Sequence, residues 1–150
     1  MKRKIENMPA ARIAYIRHVG PYGMGNLEAM RRIKEWGREN GLMQGKGLIV
    51  GISHDDPGTT LPEHCRYDAG IVIAEGMLLG DTVCEGVLLP GRYAIYEVEH
   101  TSEAIGTAWG MIFMDLTRDG LRVDMERPAF ERYSEEKVER HLCEICVPVK

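Results

Sequence analysis

Apolar residues recur along the chain at the spacing of an amphipathic helix in two places. Between residues 24 and 40, Leu27, Met30, Ile33 and Trp36 recur at every third position, which places them on one side of a helix. Between Ser102 and Arg118, three- and four-residue steps join Ile105, Ala108, Trp109, Ile112, Phe113 and Leu116. Asn40-Gly41 and Asp119-Gly120 are expected to end these helices, and Ser102 is a candidate N-cap.

Short runs rich in Ile, Val and aromatic residues predict six strands. In chain order these are Arg12–His18, Gly47–Ile52, Tyr67–Ala74, Tyr93–Val98, Phe130–Tyr133 and Leu142–Val149. Gly20-Pro21 and Asp55-Asp56-Pro57-Gly58 are turn sequences. The segment from Gly76 to Pro90 is expected only to connect the two halves of the chain.

The two halves repeat the same order of elements. Arg12-Ile13-Ala14-Tyr15-Ile16 corresponds to Arg92-Tyr93-Ala94-Ile95-Tyr96, and Asn40-Gly41-Leu42 corresponds to Asp119-Gly120-Leu121, at offsets of 80 and 79. The sequence therefore predicts an α+β fold of two tandem β-α-β-β repeats, about 10–75 and about 90–150, in one domain over residues 1–150. A pseudo-twofold axis would join them into one mostly antiparallel sheet with both long helices on one face. A central groove is expected where the repeats meet.

Charge disfavours a nucleic-acid partner and leaves a cationic one open. The formal net charge is −4, which is not typical of a nucleic-acid-binding domain. Residues 76–150 contain 8 basic and 14 acidic side chains. This half suits a cationic partner more than an anionic one, but an ordinary solvated acidic surface is the simpler and preferred interpretation.

The chain carries none of the common signals for export, membrane insertion or metal binding. The basic start Met1-Lys2-Arg3-Lys4 is followed by no apolar segment, so we expect a cytoplasmic protein with four reduced cysteines and no membrane contact. Cys143 and Cys146 match a C-x-x-C spacing, but on a strand they point to opposite faces and are expected to be structural. No cofactor motif or histidine ligand spacing is present, and no metal or cofactor is expected.

Several segments, in order, resemble the GyrI-like family. They are His18-Val19-Gly20-Pro21-Tyr22, Arg66-Tyr67-Asp68, Leu89-Pro90-Gly91-Arg92-Tyr93-Ala94, Trp109, Pro128-Ala129-Phe130-Glu131-Arg132-Tyr133 and Val147-Pro148-Val149-Lys150. The family includes DNA gyrase inhibitory proteins and the effector-binding domains of AraC- and MerR-type regulators. The resemblance implies a two-repeat domain with a central pocket for lipophilic, often cationic small molecules. The 11 residues before the first predicted strand are too few for a helix-turn-helix, so no DNA-binding domain is expected.

Glu131 is the central candidate for the site that the resemblance implies. On a strand Glu131 and Tyr133 share a face, which would place a carboxylate beside an aromatic ring in the groove. Trp109 and Phe113 would form another wall, Tyr67 could line the groove from the third strand, and Tyr22 could gate it. Asp68 would then point away and is interpreted as structural. Each residue also has a plainer interpretation: Glu131 pairs with a surface arginine, Trp109 packs in the core, and Tyr22 is an exposed turn residue.

Three functions remain open at this point. The leading one is the binding of a lipophilic, cationic small molecule by a sensor or sequestering protein. The second is an interaction with DNA gyrase or another protein. The third is hydrolysis of an electrophilic xenobiotic, with Glu131 as general base on a water and Tyr133 polarising the substrate, although we expect a non-enzymatic function.

Overall fold

The computed structural model describes residues 2–44 and 47–150, and within them the chain forms eight strands and three α-helices. The strands are β1 (Arg3–Met8), β2 (Ala11–Val19), β3 (Leu48–Ser53), β4 (Arg66–Val72), β5 (Cys84–Leu88), β6 (Gly91–Glu99), β7 (Phe130–Ser134) and β8 (Leu142–Pro148). The helices are α1 (Met24–Glu39), α2 (Ser102–Arg118) and α3 (Glu135–Glu139).

All eight strands join in one antiparallel sheet, in the order β1-β6-β8-β7-β3-β4-β2-β5. The two repeats meet at its centre, where β3 pairs with β7. In that pair Ile49 lies opposite Tyr133 and Gly51 lies opposite Glu131. This arrangement confirms the predicted α+β fold, with tandem repeats joined into one antiparallel sheet.

Two edge strands were not predicted, and they exchange places between the repeats. β1 precedes the first repeat but pairs with β6 of the second. β5 lies in the segment expected to be a simple connection, and it pairs with β2 of the first repeat. Each edge strand is joined to the next strand of the chain by two residues, Pro9-Ala10 or Leu89-Pro90, although the joined strands do not pair with each other.

These two-residue connections require the sheet to curl. Six strand spacings separate β1 from β2 in the sheet order, which would be about 29 Å in a flat sheet at about 4.8 Å per strand. The three peptide links from Met8 to Ala11 reach about 11 Å at most. The sheet is therefore a half-barrel whose two edges approach each other.

The core consists of three clusters, one beneath each long helix and one inside the curl. Ile33 and Trp36 of α1 pack on the first repeat, and Ile112 and Leu116 of α2 pack on the second. The cluster inside the curl comprises Ile13, Val50, Ile52, Leu88, Tyr93, Ile95, Phe130 and Cys146. The long helices thus lie on the face of the sheet opposite the inner cluster, and Trp36 is a core residue as expected.

The helix ends follow the sequence signals closely but not at every residue. Gly41 and Gly120 have φ angles of 69° and 74°, the left-handed conformation that glycine adopts without penalty after a helix. α1 ends at Glu39 rather than residue 40. The N-cap of α2 is Thr101, not Ser102, because the Thr101 hydroxyl accepts the N–H of Ala104 at 3.1 Å.

The C-x-x-C cysteines lie on opposite faces of β8, as the strand alternation predicted. Cys146 belongs to the cluster inside the curl, whereas Cys143 lies on the helix-covered face near Glu131. Burial raises the pKa of each thiol to about 12, so both stay protonated at neutral pH. All four cysteines are free, and only Cys84 is exposed.

Asp68 also points away from the helices, as expected for a structural residue. It accepts two hydrogen bonds from Arg17, at 2.7 and 2.8 Å, and lies 2.7 Å from Nε2 of His54. Burial alone would raise the pKa of this carboxyl, but the bonds from Arg17 and His54 outweigh it and lower the pKa.

Within the described residues, no helix has the length and apolarity needed to cross a membrane.

Candidate functional site

One face of α1 forms the wall of a cavity above the centre of the sheet. Leu27, Met30, Lys34 and Arg38 recur at three- and four-residue steps and line it together. Such steps place side chains on one side of a helix, next to the stripe of Ala29, Ile33 and Trp36 that is buried in the core. The helix therefore packs on the sheet through one stripe and borders the cavity through the other.

The cavity has a volume of about 500 Å³, which is within the usual range for small-molecule sites. Its floor comes from the paired strands β3 and β7 and from β4, and its far wall comes from α3. The lining residues are Asn26, Leu27, Met30, Lys34, Arg38, Met43, Gly47, Ile49, Tyr67, His100, Tyr133, Glu135 and Val138. A cavity thus lies over the paired strands β3 and β7, and its lining includes residues of α1 but none of α2.

Tyr67 reaches this floor because its neighbour on β3 has no side chain. A Cβ atom at Gly51 would lie 2.5 Å from the Tyr67 hydroxyl, so only glycine leaves room for the ring in this position. The hydroxyl makes no hydrogen bond to any residue that the structure describes. Asn26 Oδ1, on the same cavity, is buried without a partner among the described residues. The cavity therefore has the Tyr67 hydroxyl on its floor, and the unpartnered Asn26 oxygen is buried beside it.

Glu131 lies behind the tyrosines and is held by two donors. Trp109 Nε1 donates to Oε2 at 3.2 Å, and the Tyr133 hydroxyl donates to Oε1. Glu131 itself does not line the cavity, whereas Tyr133 does. The structure thus brings Glu131, Tyr133 and Trp109 into one hydrogen-bonded cluster, with no arginine paired to the carboxylate among the described residues.

The environment keeps both tyrosines protonated. Burial raises the pKa of Tyr133 and of Tyr67, and the negative charge of Glu131 raises each further. Both hydroxyls therefore remain donors across the physiological pH range. A carboxylate has about four acceptor positions, so Glu131 can accept further hydrogen bonds besides those from Tyr133 and Trp109.

Two of the residues proposed for the site lie elsewhere. The Tyr22 hydroxyl accepts the N–H of Asp55 at 3.1 Å and donates to the carbonyl of Arg66 at 2.9 Å, so Tyr22 anchors the loop after β3. Phe113 is 47% exposed and borders a shallow depression at the end of α2.

Sequence reasoning missed several residues of the site. Asn26, Lys34, Arg38, His100 and Gly51 were not proposed. The three-residue spacing predicts that Leu27 and Met30 lie on one side of the helix with Ile33 and Trp36. It does not show that Leu27 and Met30 border a cavity. His100 lies with its ring centre 5.1 Å from that of Tyr133, a contact between distant segments that no local pattern encodes.

Among the described residues, no group of three or more His, Cys, Asp and Glu is placed to hold a metal ion.

Comparison with known families settles what kind of domain this is. The family model of the GyrI-like small molecule binding domain matches residues 1–150. The chain belongs to the GyrI-like family. The SPbeta prophage-derived protein YosT of Bacillus subtilis (strain 168), named as a candidate transcriptional regulator, is 40% identical, and the match covers 100% of both chains. A DNA gyrase inhibitor of Serratia proteamaculans (strain 568) is 29% identical over 89% of this chain and 86% of its own.

Solved structures agree with the GyrI-like fold. SAV2435 bound to tetraphenylphosphonium has a TM-score of 0.67 at 15% identity, covering 100% of this chain and 94% of that one. The C-terminal domain of EcmrR has a TM-score of 0.72 at 12% identity, covering 99% and 97%. At such identities the likeness shows a shared fold, and the GyrI-like domain described here is a mixed α+β domain with a curled eight-stranded sheet.

Proposed function

We propose that this GyrI-like domain binds a lipophilic small molecule with a positive charge in the cavity between α1 and β7. The observation that carries the proposal is the position of Glu131. Its carboxylate lies directly behind the aromatic floor, held by Tyr133 and Trp109. A cation resting on that floor would meet both aromatic rings and a negative charge.

The chemistry of the floor suits such a ligand. A cation over a tyrosine ring gains about 0.5–2 kcal/mol, more as water is excluded. Tyr67 and Tyr133 both line the cavity, and Leu27, Met30 and Ile49 add apolar surface for the lipophilic part. A half-buried carboxylate is stabilised by an opposite charge nearby, so ligand and site would each gain from the contact.

A structural neighbour supports the proposal. SAV2435, which shares the fold, was solved with tetraphenylphosphonium, a lipophilic cation. We propose that the present domain acts in the same chemical class, as a cytoplasmic sensor or sequestering protein. The four free cysteines are compatible with that compartment.

Calorimetric titration with tetraphenylphosphonium tests the proposal. We expect saturable binding of one equivalent, and a stabilisation of about 2.7 kcal/mol when the ligand is present at 100 times its dissociation constant.

Leu27 lines the cavity and is 66% exposed, so Leu27→Trp should fill the cavity without disturbing the core and should abolish binding. Leu61→Trp is the control, because Leu61 is 58% exposed on the loop between β3 and β4 and does not line the cavity. Equal binding by the two variants would contradict the proposed location.

A second candidate function rests on the relatives named DNA gyrase inhibitor. In that case the domain would contact gyrase through its surface, and the cavity would be incidental to inhibition. A supercoiling assay separates the two functions: inhibition that survives Leu27→Trp unchanged would favour the protein contact. Inhibition that requires the open cavity or a bound cation would link both activities to one site.

A further inference from the structure

Two cations lie on the α1 wall of the cavity, whereas the Glu131 carboxylate lies behind its floor. Lys34 and Arg38 lie on its wall in the last two turns of α1. Neither forms an ion pair with any residue in the described ranges. On the same helix Arg31, which is not part of the wall, pairs with Glu28 and Glu35 at 2.7 and 3.0 Å. Among the described residues, the two wall cations are thus unpaired beside a cavity, whereas on the exposed face of the helix Arg31 is paired and Arg32 is not.

Contacts along the chain locate this basic end. A Cβ at Gly37 would lie 3.2 Å from Met43, and a Cβ at Gly47 would lie 3.4 Å from Met43. The C-terminal end of α1 therefore meets the start of β3 through Met43. Gly47, Met43, Lys34 and Arg38 line one end of the cavity together.

The acidic and aromatic end lies further along β3. Gly51 is opposite Glu131 and beneath the Tyr67 hydroxyl, four residues or about 13 Å of strand from Gly47. Asn26, whose Oδ1 is buried and unpartnered within the described residues, lies at the N-terminal end of α1 on this side. Hydrogen-bond acceptors and the Glu131 charge thus lie together at this end.

One acidic residue moderates the basic end without neutralising it. Glu135, the first residue of α3, lines the opposite wall. It forms no ion pair with Lys34 or Arg38 in the part of the chain that the structure describes. Two cations against one carboxylate leave a net positive charge, and like charges four residues apart on a helix repel each other.

We propose that the ligand of this cavity is amphoteric: an elongated lipophilic molecule with a cationic group at one end and a carboxylate or similar anion at the other. This inference rests on the proposed function and specifies its ligand class. The cationic group lies over Tyr67 and Tyr133 near Glu131. The anionic group lies between Lys34 and Arg38, where it neutralises the unpaired charges.

A set of four compounds with one aromatic core tests the inference. The zwitterion is 4'-(aminomethyl)biphenyl-4-carboxylic acid, the cation is its methyl ester, the anion is its N-acetyl derivative, and the neutral compound is the N-acetyl methyl ester. We expect the wild-type protein to bind the zwitterion about five- to tenfold more tightly than the cation, the size expected of partly exposed ion pairs. The preference should shrink as salt is added.

Two double variants with equal loss of charge provide the comparison. Lys34→Gln with Arg38→Gln should abolish the preference for the zwitterion. Because this variant removes two positive charges from the cavity wall, it should not weaken binding of the cationic methyl ester. Arg31→Gln with Arg32→Gln, on exposed positions of the same helix, should retain the preference. Circular dichroism and thermal unfolding of both variants check that each is folded.

The outcomes separate this inference from the function on which it rests. If tetraphenylphosphonium and the methyl ester bind but the zwitterion has no advantage, the ligand is a simple cation and the inference fails while the proposed function stands. The inference also fails alone if both double variants lose the preference equally, or if Lys34 and Arg38 affect only stability through the C-terminal end of α1. If tetraphenylphosphonium and all four compounds fail to bind, both the inference and the proposed function fail.

Discussion

The Tyr67 hydroxyl occupies the space that a side chain at position 51 would need. A Cβ at Gly51 would approach the hydroxyl to 2.5 Å and the ring carbon that bears it to 3.3 Å. Because Tyr67 is almost fully buried, its ring has little freedom to move aside. The position of Tyr67 beside Glu131 therefore depends on a glycine one strand away.

Gly51→Ala should displace Tyr67 and weaken ligand binding. We expect a loss of about 1–3 kcal/mol in the free energy of unfolding, the usual cost of overpacking a core, and a clear loss of affinity for tetraphenylphosphonium. Gly110→Ala is the matched control: nothing lies within 4 Å of a Cβ there, and alanine in an exposed helix should add up to about 1 kcal/mol. Unchanged affinity in Gly51→Ala would show that Tyr67 has no part in the site.

Strand parity predicted part of the site, and close approach between strands determined the rest. The shared face of Glu131 and Tyr133 follows from alternation along a strand, and the structure places both in one cluster. Gly51 and Asn26 could not be found in this way, since their roles depend on which residues of other elements come near. The place of Tyr22 after the Gly20-Pro21 turn and the spacing of Phe113 from Trp109 predicted that both border the groove. In the structure Tyr22 is hydrogen-bonded to the loop after β3, and Phe113 borders a depression at the end of α2.

At the scale of elements, a buried carboxylate joins β1 and β6 to α2. Asp115 of α2 accepts hydrogen bonds from the Tyr96 hydroxyl at 2.6 Å, from Arg3 at 2.7 Å and from Arg118 at 2.6 Å. The bond from Tyr96, followed by that from Arg3, lowers the pKa of the Asp115 carboxyl. This contact helps to hold the exchanged edge strand β1 on the second repeat.

Asp115→Asn should destabilise the fold and change its response to acid. A carboxyl whose pKa is lower in the folded state stabilises the protein above its unfolded pKa, near 3.9, and this contribution is lost as the pH falls through the folded value. We expect the variant to lose about 2 kcal/mol in the free energy of unfolding at pH 7. Its stability should then fall less steeply than that of the wild type below about pH 4.

Urea titrations at several pH values measure this effect. Glu28→Gln is the control, because Glu28 pairs with Arg31 on the exposed face of α1, and we expect no measurable loss. An Asp115→Asn variant as stable as the wild type at pH 7 would show that the contact does not hold β1.

The helices and strands in which apolar residues recur regularly could be predicted from the sequence, whereas the two edge strands could not. Both long helices and all six central strands lie close to the predicted positions. β1 (Arg3–Met8) is mostly polar or exposed, and β5 contains Gly86 with exposed neighbours, so neither shows the alternation of a half-buried strand. Their places in the sheet come from pairing with the other repeat, which is a tertiary effect.

At the scale of the whole molecule, the exchanged edges make the two repeats one folding unit. β1 completes the second repeat and β5 completes the first, and the cluster inside the curl takes residues from both. The offsets near 80 predicted two similar halves. They could not predict this exchange, because it depends on the curl of the sheet and not on either half alone.

One tryptophan in each repeat allows a test of this unity. Trp36 packs in the first repeat and Trp109 in the second, so Trp109→Phe and Trp36→Phe each leave a reporter in one half. Within each variant, fluorescence and far-ultraviolet circular dichroism should give the same urea midpoint, as for a two-state domain. Separate midpoints in either variant would show that the halves unfold independently.

The central claim is that the charge of Glu131 recognises a cation on the aromatic floor. Its most direct test is calorimetric titration of the wild type and Glu131→Gln with the biphenyl methyl ester, a cation, and with the N-acetyl methyl ester, its neutral counterpart. Glu126→Gln, an exposed change of the same charge, is the control. We expect that Glu131→Gln alone loses about 1.5–3 kcal/mol of binding free energy for the cation, as for a charge-assisted contact, with little change for the neutral compound. Equal losses for both compounds, or none for either, would contradict it.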